Sequence, residues 1–102
     1  MRVEFYGIYR TLAGGKSLEI NSGDRPTVRD ILKTIGGRFP ALMNELFDER
    51  GDLYPYIPVY VNGRNPRLLA RGLDSPLHAD DVLGLFSPIS SGKMNVEVLR
   101  SE

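Results

Sequence analysis

Apolar and polar positions alternate from the start of the chain. Val3 and Phe5 share one side of an extended segment, and after a break at Tyr6-Gly7 the apolar Ile8 follows, which predicts a strand over Val3 to Tyr9. Leu18-Glu19-Ile20 alternates again before the breakers Asn21, Ser22 and Gly23. Ala13-Gly14-Gly15-Lys16 lies between the two and has the composition of a turn, so the pair predicts an N-terminal β-hairpin. The period then changes. Val28, Ile31, Leu32 and Ile35 recur at three- and four-residue spacing behind Thr27, a residue suited to cap a helix, with Arg29, Asp30 and Lys33 on the solvent side and Gly36-Gly37 as the expected stop.

Phe39-Pro40-Ala41-Leu42 opens a second, shorter helical pattern with Leu42, Met43, Leu46 and Phe47 as its apolar positions, and the polar run Asp48 to Asp52 follows as a loop. Ile57-Pro58-Val59-Tyr60-Val61 has strand composition and meets the turn signal Asn62-Gly63, with Pro58 placing the start of pairing late or at an edge. Asn65 to Gly72 reads as a turn and a short extended segment. Val82 to Phe86 is a last apolar strand behind Asp80-Asp81, stopped by Ser87-Pro88. A hairpin, a helix and then returning strands predict an α+β domain in the β-grasp, or ubiquitin-like, order. Its sheet would be mixed, of four to five strands, packed on one main helix with a short second helix beside it. Other α+β domains share this element order.

Composition narrows the class. A chain of 102 residues with 41% hydrophobic and 25% charged positions suits one folded domain. Thirteen Lys and Arg balance thirteen Asp and Glu, so no net field draws the chain to nucleic acid or an anionic membrane, and proteins or small molecules are the expected partners. The absence of cysteine removes disulfides, thiolate metal sites and a cysteine nucleophile. Glu4 near the N-terminus and the lack of an uninterrupted apolar run do not fit a signal peptide, and no segment approaches bilayer length, so the cytoplasm is the expected compartment.

Several short motifs have simpler readings. Gly14-Gly15-Lys16-Ser17 resembles part of a phosphate loop, but Arg10 stands where another glycine is needed and a strand, not a helix, follows. Arg50-Gly51-Asp52 spells an integrin-binding tripeptide inside a polar turn. Asp48, Glu49 and Asp52 lack the spacing of a calcium loop. His78 is the only histidine and has no partner set for acid–base catalysis, and the run Arg64, Arg67, Arg71 is offset by acids elsewhere. No catalytic constellation is present, so an independent enzyme is not expected.

Taken as words, the segments resemble the MoaD/ThiS-like sulfur carrier family over nearly the whole chain up to Gly92. Phe5 to Arg10 is similar to that family's first strand ending in an arginine, Thr27-Val28-Arg29-Asp30-Ile31-Leu32 to the start of its main helix, and Phe39-Pro40-Ala41-Leu42 to the turn after it. Val61-Asn62-Gly63 is similar to the end of the third strand, and Asp80-Asp81-Val82 through Ser87-Pro88-Ile89-Ser90 to the last strand and the approach to the terminus. The resemblance implies a carrier that is not itself an enzyme and holds no permanent cofactor. An E1-like activating enzyme would use ATP to adenylate a C-terminal glycine carboxylate, a sulfur donor would convert it to a thiocarboxylate, and an acceptor such as a molybdopterin synthase large subunit would take the sulfur for molybdopterin, thiamine or related biosynthesis. Leu85, Phe86, Pro88, Ile89 and Ser91 would lie at the partner docking surface, with Phe86 as the outward anchor, and Gly92 would carry the sulfur.

The chain departs from the family at this end. Ser91 replaces the first glycine of the usual pair, and ten residues, Lys93 to Glu102, follow Gly92. Residues 1–92 therefore read as the carrier-like domain and 93–102 as an extension. In one reading a processing protease removes the extension and exposes Gly92. In the other the chain is a non-carrier interaction or regulatory subunit that keeps its tail, because Met94, Val96 and Val98 alternate with Asn95 and Glu97 like a half-buried strand.

Overall fold

The computed structural model describes residues 1–21 and 23–88. Among these the chain forms β1 (Arg2–Tyr6), α1 (Tyr9–Ala13), β2 (Ser17–Glu19), α2 (Val28–Arg38), α3 (Pro40–Leu46), β3 (Val59–Val61) and β4 (Val82–Phe86), with single 3₁₀ turns at Pro66–Leu68 and Gly72–Asp74. The four strands make one mixed sheet in the order β2-β1-β4-β3. β1 and β4 are parallel at its centre, and β2 and β3 run antiparallel to them at the edges. This is the β-grasp arrangement that the pattern predicts.

Alternation decides which side is covered. Val3 and Phe5 of β1, Leu83 and Leu85 of β4 and Val59 of β3 turn to one side and join Val28, Ile31, Leu32 and Ile35 of α2 and Leu42 and Leu46 of α3 in a core where each is at most 1% exposed. The other side of the sheet carries Arg2, Glu4 and Tyr6 of β1 and Val82, Gly84 and Phe86 of β4, with Tyr60 of β3 opposite Gly84. Period-2 geometry thus separates a core face from an outer face within single strands.

The start of α2 is held by a reciprocal cap. The Thr27 hydroxyl accepts from the Asp30 backbone N–H at 3.1 Å, and the Asp30 carboxylate accepts from the Thr27 N–H at 3.0 Å, which satisfies two donors that the helix itself cannot pair. Thr27→Ala removes the first of these bonds, and urea unfolding should show a loss of about 1 kcal/mol with an unchanged m-value.

Three local expectations are corrected. The first strand ends at Tyr6 rather than Tyr9, because Gly7 takes a positive φ of 68° and residues 9–13 coil into α1, so the hairpin connection is helical and Arg10 sits in a helix. Gly36-Gly37 does not end α2. The helix runs to Arg38, and Pro40 stops it by disfavouring a helical conformation at Phe39. Gly36 serves a close approach instead, since a Cβ there would lie 2.9 Å from the Met43 side chain of α3. The extended segment expected within Asn65 to Gly72 is a pair of 3₁₀ turns. Asn65 caps the first, and the Arg67 guanidinium donates to the carbonyls of Ile57 and Tyr54 at 2.6 and 3.2 Å. The late start expected of the third strand is observed: β3 begins at Val59, after Pro58, which lacks an N–H to pair.

Candidate functional site

The outer face of the sheet gathers three aromatic rings at one end. Parallel pairing puts Tyr6 beside Phe86, and their rings stack with centroids 4.2 Å apart and planes 2° from parallel. Tyr60 meets Phe86 edge-on at 5.5 Å and 87°. Both geometries are preferred by aromatic quadrupoles. The stack can lie down over β4 because the position between the rings is Gly84, where a Cβ would stand 3.3 Å from Phe86 and 3.7 Å from Tyr6. All three rings are half-buried, largely by one another, and they rim an apolar depression of about 330 Å³ with Gly84 and Val82 in its floor.

Polar groups hold the rim in place. The Tyr6 hydroxyl donates to a Glu4 carboxylate oxygen at 2.9 Å, and this bond, with Glu4's charge and some burial, raises the phenol above its ordinary value. Arg10 of α1 donates from Nε to the Phe5 carbonyl at 2.8 Å, which sets its guanidinium carbon 5.3 Å from the Tyr6 ring centroid. On the opposite rim, Asn62 and Gly63 both take positive φ, 51° and 82°, and the Val61 and Arg64 backbones exchange two hydrogen bonds across them, as in a tight I′ hairpin turn. Asn62 then clips this turn to β4. Its side-chain oxygen accepts from the Val82 N–H at 3.0 Å and its amide donates to Asp81 at 2.9 Å.

Asp81 also accepts from the His78 backbone N–H at 2.7 Å. Burial alone would raise its carboxyl, but these hydrogen bonds and the nearby His78 outweigh it and hold the group below the usual carboxylate range. A depressed folded value contributes stability that is present above the unfolded value and is lost as pH falls through the folded one. The stability difference between the natural chain and Asp81→Ala should therefore be constant from neutrality to about pH 5 and shrink below about pH 4, as urea midpoints across that range will show.

Of the docking residues expected from sequence, Phe86 lies on this outer face as the outward member of its pair. Leu85 does not: it is 0% exposed among the core side chains, because adjacent residues of a strand face opposite ways, and its role is to hold the fold. Pro88 is half-buried just beyond β4, next to the buried Ser87. Ile89, Ser91, Gly92 and the extension 93–102 lie outside the described residues. Tyr6 and Tyr60 were not singled out by sequence reasoning. The signal for Tyr6 is its place one residue beyond the inward Phe5, but its meeting with Phe86 depends on a parallel register that spans the whole chain.

The other motifs have structural employment. Gly14, with φ 74°, ends α1 and leads into β2, so no phosphate loop forms. Asp48 accepts from the N–H groups of Asp52 and Arg50, which lowers its carboxyl against the opposing effect of burial. His78 is exposed. Among the described residues, no group of three or more His, Cys, Asp or Glu is placed to hold a metal ion, and no helix is long and apolar enough to cross a membrane.

The β-grasp body has counterparts among known proteins. The sequence model of the ThiS family fits residues 3–92. The chain belongs to the ThiS family. Small archaeal modifier protein 1 of Haloferax volcanii is 35% identical over 81 residues, covering 79% of this chain and 87% of the relative. The crystal structure of the modifier from that organism has a TM-score of 0.77 at 32% identity and covers 90% of this chain and 98% of its own. A chain in the BexX/CysO complex of Amycolatopsis orientalis matches at 29% identity with a TM-score of 0.65, covering 82% of this chain and 90% of that one. The ThiS-family chain is thus a ubiquitin-like sulfur carrier or modifier, not an enzyme, and the match of its family ends at Gly92.

Proposed function

We propose that this ThiS-family protein carries sulfur on the Gly92 carboxylate once residues 93–102 are removed, acting in the cytoplasm with an E1-like activating enzyme and a sulfur-acceptor enzyme. A carboxylate oxygen is a poor leaving group. Attack of that oxygen on the α-phosphorus of ATP, bound by the activating enzyme, expels pyrophosphate and gives an acyl-adenylate. A sulfur donor then displaces AMP and leaves a thiocarboxylate, which a biosynthetic enzyme of the molybdopterin, thiamine or a related pathway uses. The protein itself supplies no acid, base or metal. It supplies a rigid body, a docking face and a narrow terminus whose last residue has no Cβ to obstruct approach through a tight channel.

One observation carries the docking part of this reading: Tyr6, Tyr60 and Phe86 form a preorganised aromatic patch at the end of β4, two residues before the last described residue. Fixed aromatic groups around a small apolar depression suit an interface anchor, since little ordering is left to be done on binding. The family match that ends at Gly92 supports the placement of the chemistry there.

The test is the intact mass of the protein purified from its native cell. Truncation after Gly92, with part of the population heavier by the exchange of one oxygen for sulfur, is the expected result. A wholly full-length, unmodified population during demand for the sulfur-containing product would remove the carrier reading and leave the subunit that retains its tail.

A further inference from the structure

Beyond the Asn62-Gly63 turn lies a surface of a different kind from the aromatic face. Residues 61–73 carry three arginines and no acidic residue, although the whole chain is balanced. Arg67 turns inward, with its guanidinium on the carbonyls of Ile57 and Tyr54. Arg64 and Arg71 are exposed, and among the described residues neither forms an ion pair. The acid that follows them in sequence, Asp74, is already held by Arg29 at 3.0 Å. The balance of the chain is therefore global, and a local positive charge faces solvent here.

Between the two free arginines the loop holds apolar side chains out into water. Leu68 is 84% exposed and Leu69 is 50% exposed. Their position is fixed. The Asn65 side chain accepts from the Arg67 N–H at 3.0 Å, the Leu68 and Leu69 N–H groups donate to the carbonyls of Asn65 and Pro66, and the Arg67 guanidinium ties the turn to the body. Two adjacent leucines held outward do nothing for this fold, and contiguous apolar surface rimmed by charge is the pattern of an interaction site. Leu69 also lines a depression of about 350 Å³ with Val61, Asn62 and Arg64.

This composition selects the occupant. Fixed cations call for carboxylates, and the leucines with their depression call for an aliphatic side chain between those carboxylates. The Val61 and Arg64 backbones bond each other at 2.7 and 2.9 Å, so an added strand finds no free backbone there and recognition runs through side chains. A flat anionic lipid surface would meet the charges but has nothing to fill a concavity. We propose that Arg64, Leu68, Leu69 and Arg71 form a docking site for a protein segment that presents an aliphatic side chain between carboxylates. Asn62 lines both this depression and the aromatic one, so a single partner can reach across the turn to both. The site needs no sulfur chemistry and stands whether or not Gly92 is ever charged.

The probe is the peptide acetyl-Asp-Glu-Leu-Glu-Asp-amide, titrated to millimolar concentration into the full chain while backbone amide signals are followed by NMR. Saturable shifts at Val61, Arg64, Leu68 and Leu69 are expected, with binding weakened by added salt and abolished when serine replaces the peptide's leucine. Arg64→Ala and Arg71→Ala should each weaken binding by about twofold to fivefold, the range of exposed charge pairs. The paired reversal Arg64→Glu and Arg71→Glu, at two exposed positions, should leave the rest of the spectrum in place and transfer the preference to acetyl-Lys-Lys-Leu-Lys-Lys-amide. No shift with the acidic peptide, equal shifts with the basic or the serine peptide, or shifts confined to Tyr6, Tyr60 and Phe86 would overturn the proposal. Shifts at Leu68 and Leu69 brought about only by vesicles of phosphatidylglycerol and phosphatidylcholine would assign the surface to a membrane, and shifts that grow with protein concentration alone would assign it to a second copy. Either result also overturns it. The intact mass tests the carrier reading separately, so each can fail without the other.

Discussion

Leu85→Ala should lower the unfolding free energy by roughly 2–5 kcal/mol, whereas Phe86→Ala, one residue along, should cost the fold about 1–2 kcal/mol and act chiefly on partner binding. Leu85 is 0% exposed among the core side chains of the sheet and α2, so its truncation leaves a cavity that rigid neighbours fill only in part. Phe86 is half-buried and its stack with Tyr6 faces outward. Urea unfolding of the two variants gives the stability arm. Titration of the residue 1–92 form with its E1-like activating enzyme gives the other arm, in which Phe86→Ala weakens binding and Leu85→Ala, at a temperature where it remains folded, does not. Equal losses of stability, or undiminished binding by Phe86→Ala, would contradict the division of β4 into a core side and a docking side.

Gly92→Ala in the residue 1–92 form should reduce thiocarboxylate formation by about a hundredfold or more while leaving the unfolding midpoint unchanged. A single methyl group at the reacting residue is enough to displace the carboxylate from an in-line approach, and a displacement of about 1 Å can cost that much in rate. Among the described residues the last strand, β4, ends at Phe86, six positions before Gly92. Mass spectrometry of the carrier after incubation with activating enzyme, ATP and sulfide reads the effect. Unchanged conversion would remove Gly92 from the mechanism.

The contrast between these variants also marks what the sequence could and could not convey. Helix α2 was legible because its signals are local: Thr27 and Asp30 cap it, and Val28, Ile31, Leu32 and Ile35 repeat at helical spacing. Its end was not, because Gly36 answers to the Met43 side chain of the next helix rather than to a turn. The short helix α1 was hidden for a similar reason. A five-residue helix has little periodicity to show, and it is made by a positive φ at Gly7 and a left-handed cap at Gly14. At the site, Phe86 could be singled out from its own strand, but Tyr6 and Tyr60 could not be joined to it without the parallel β1–β4 and antiparallel β3–β4 registers. Leu85 and Phe86 were both expected at the docking surface, with Phe86 as the outward member, and the sheet puts Leu85 in the core.

The proposed chemistry takes place at the Gly92 carboxylate, at the end of the family match and followed by ten further residues in the sequence. The most direct measurement is the mass of the chain after incubation with the E1-like enzyme of its own cell, ATP and sulfide, made in parallel on residues 1–92 and on residues 1–102. The account predicts that the shorter form exchanges one oxygen for sulfur at its terminal glycine and that the longer form does not. A shorter form left unmodified by an enzyme that charges another carrier in the same mixture would contradict it.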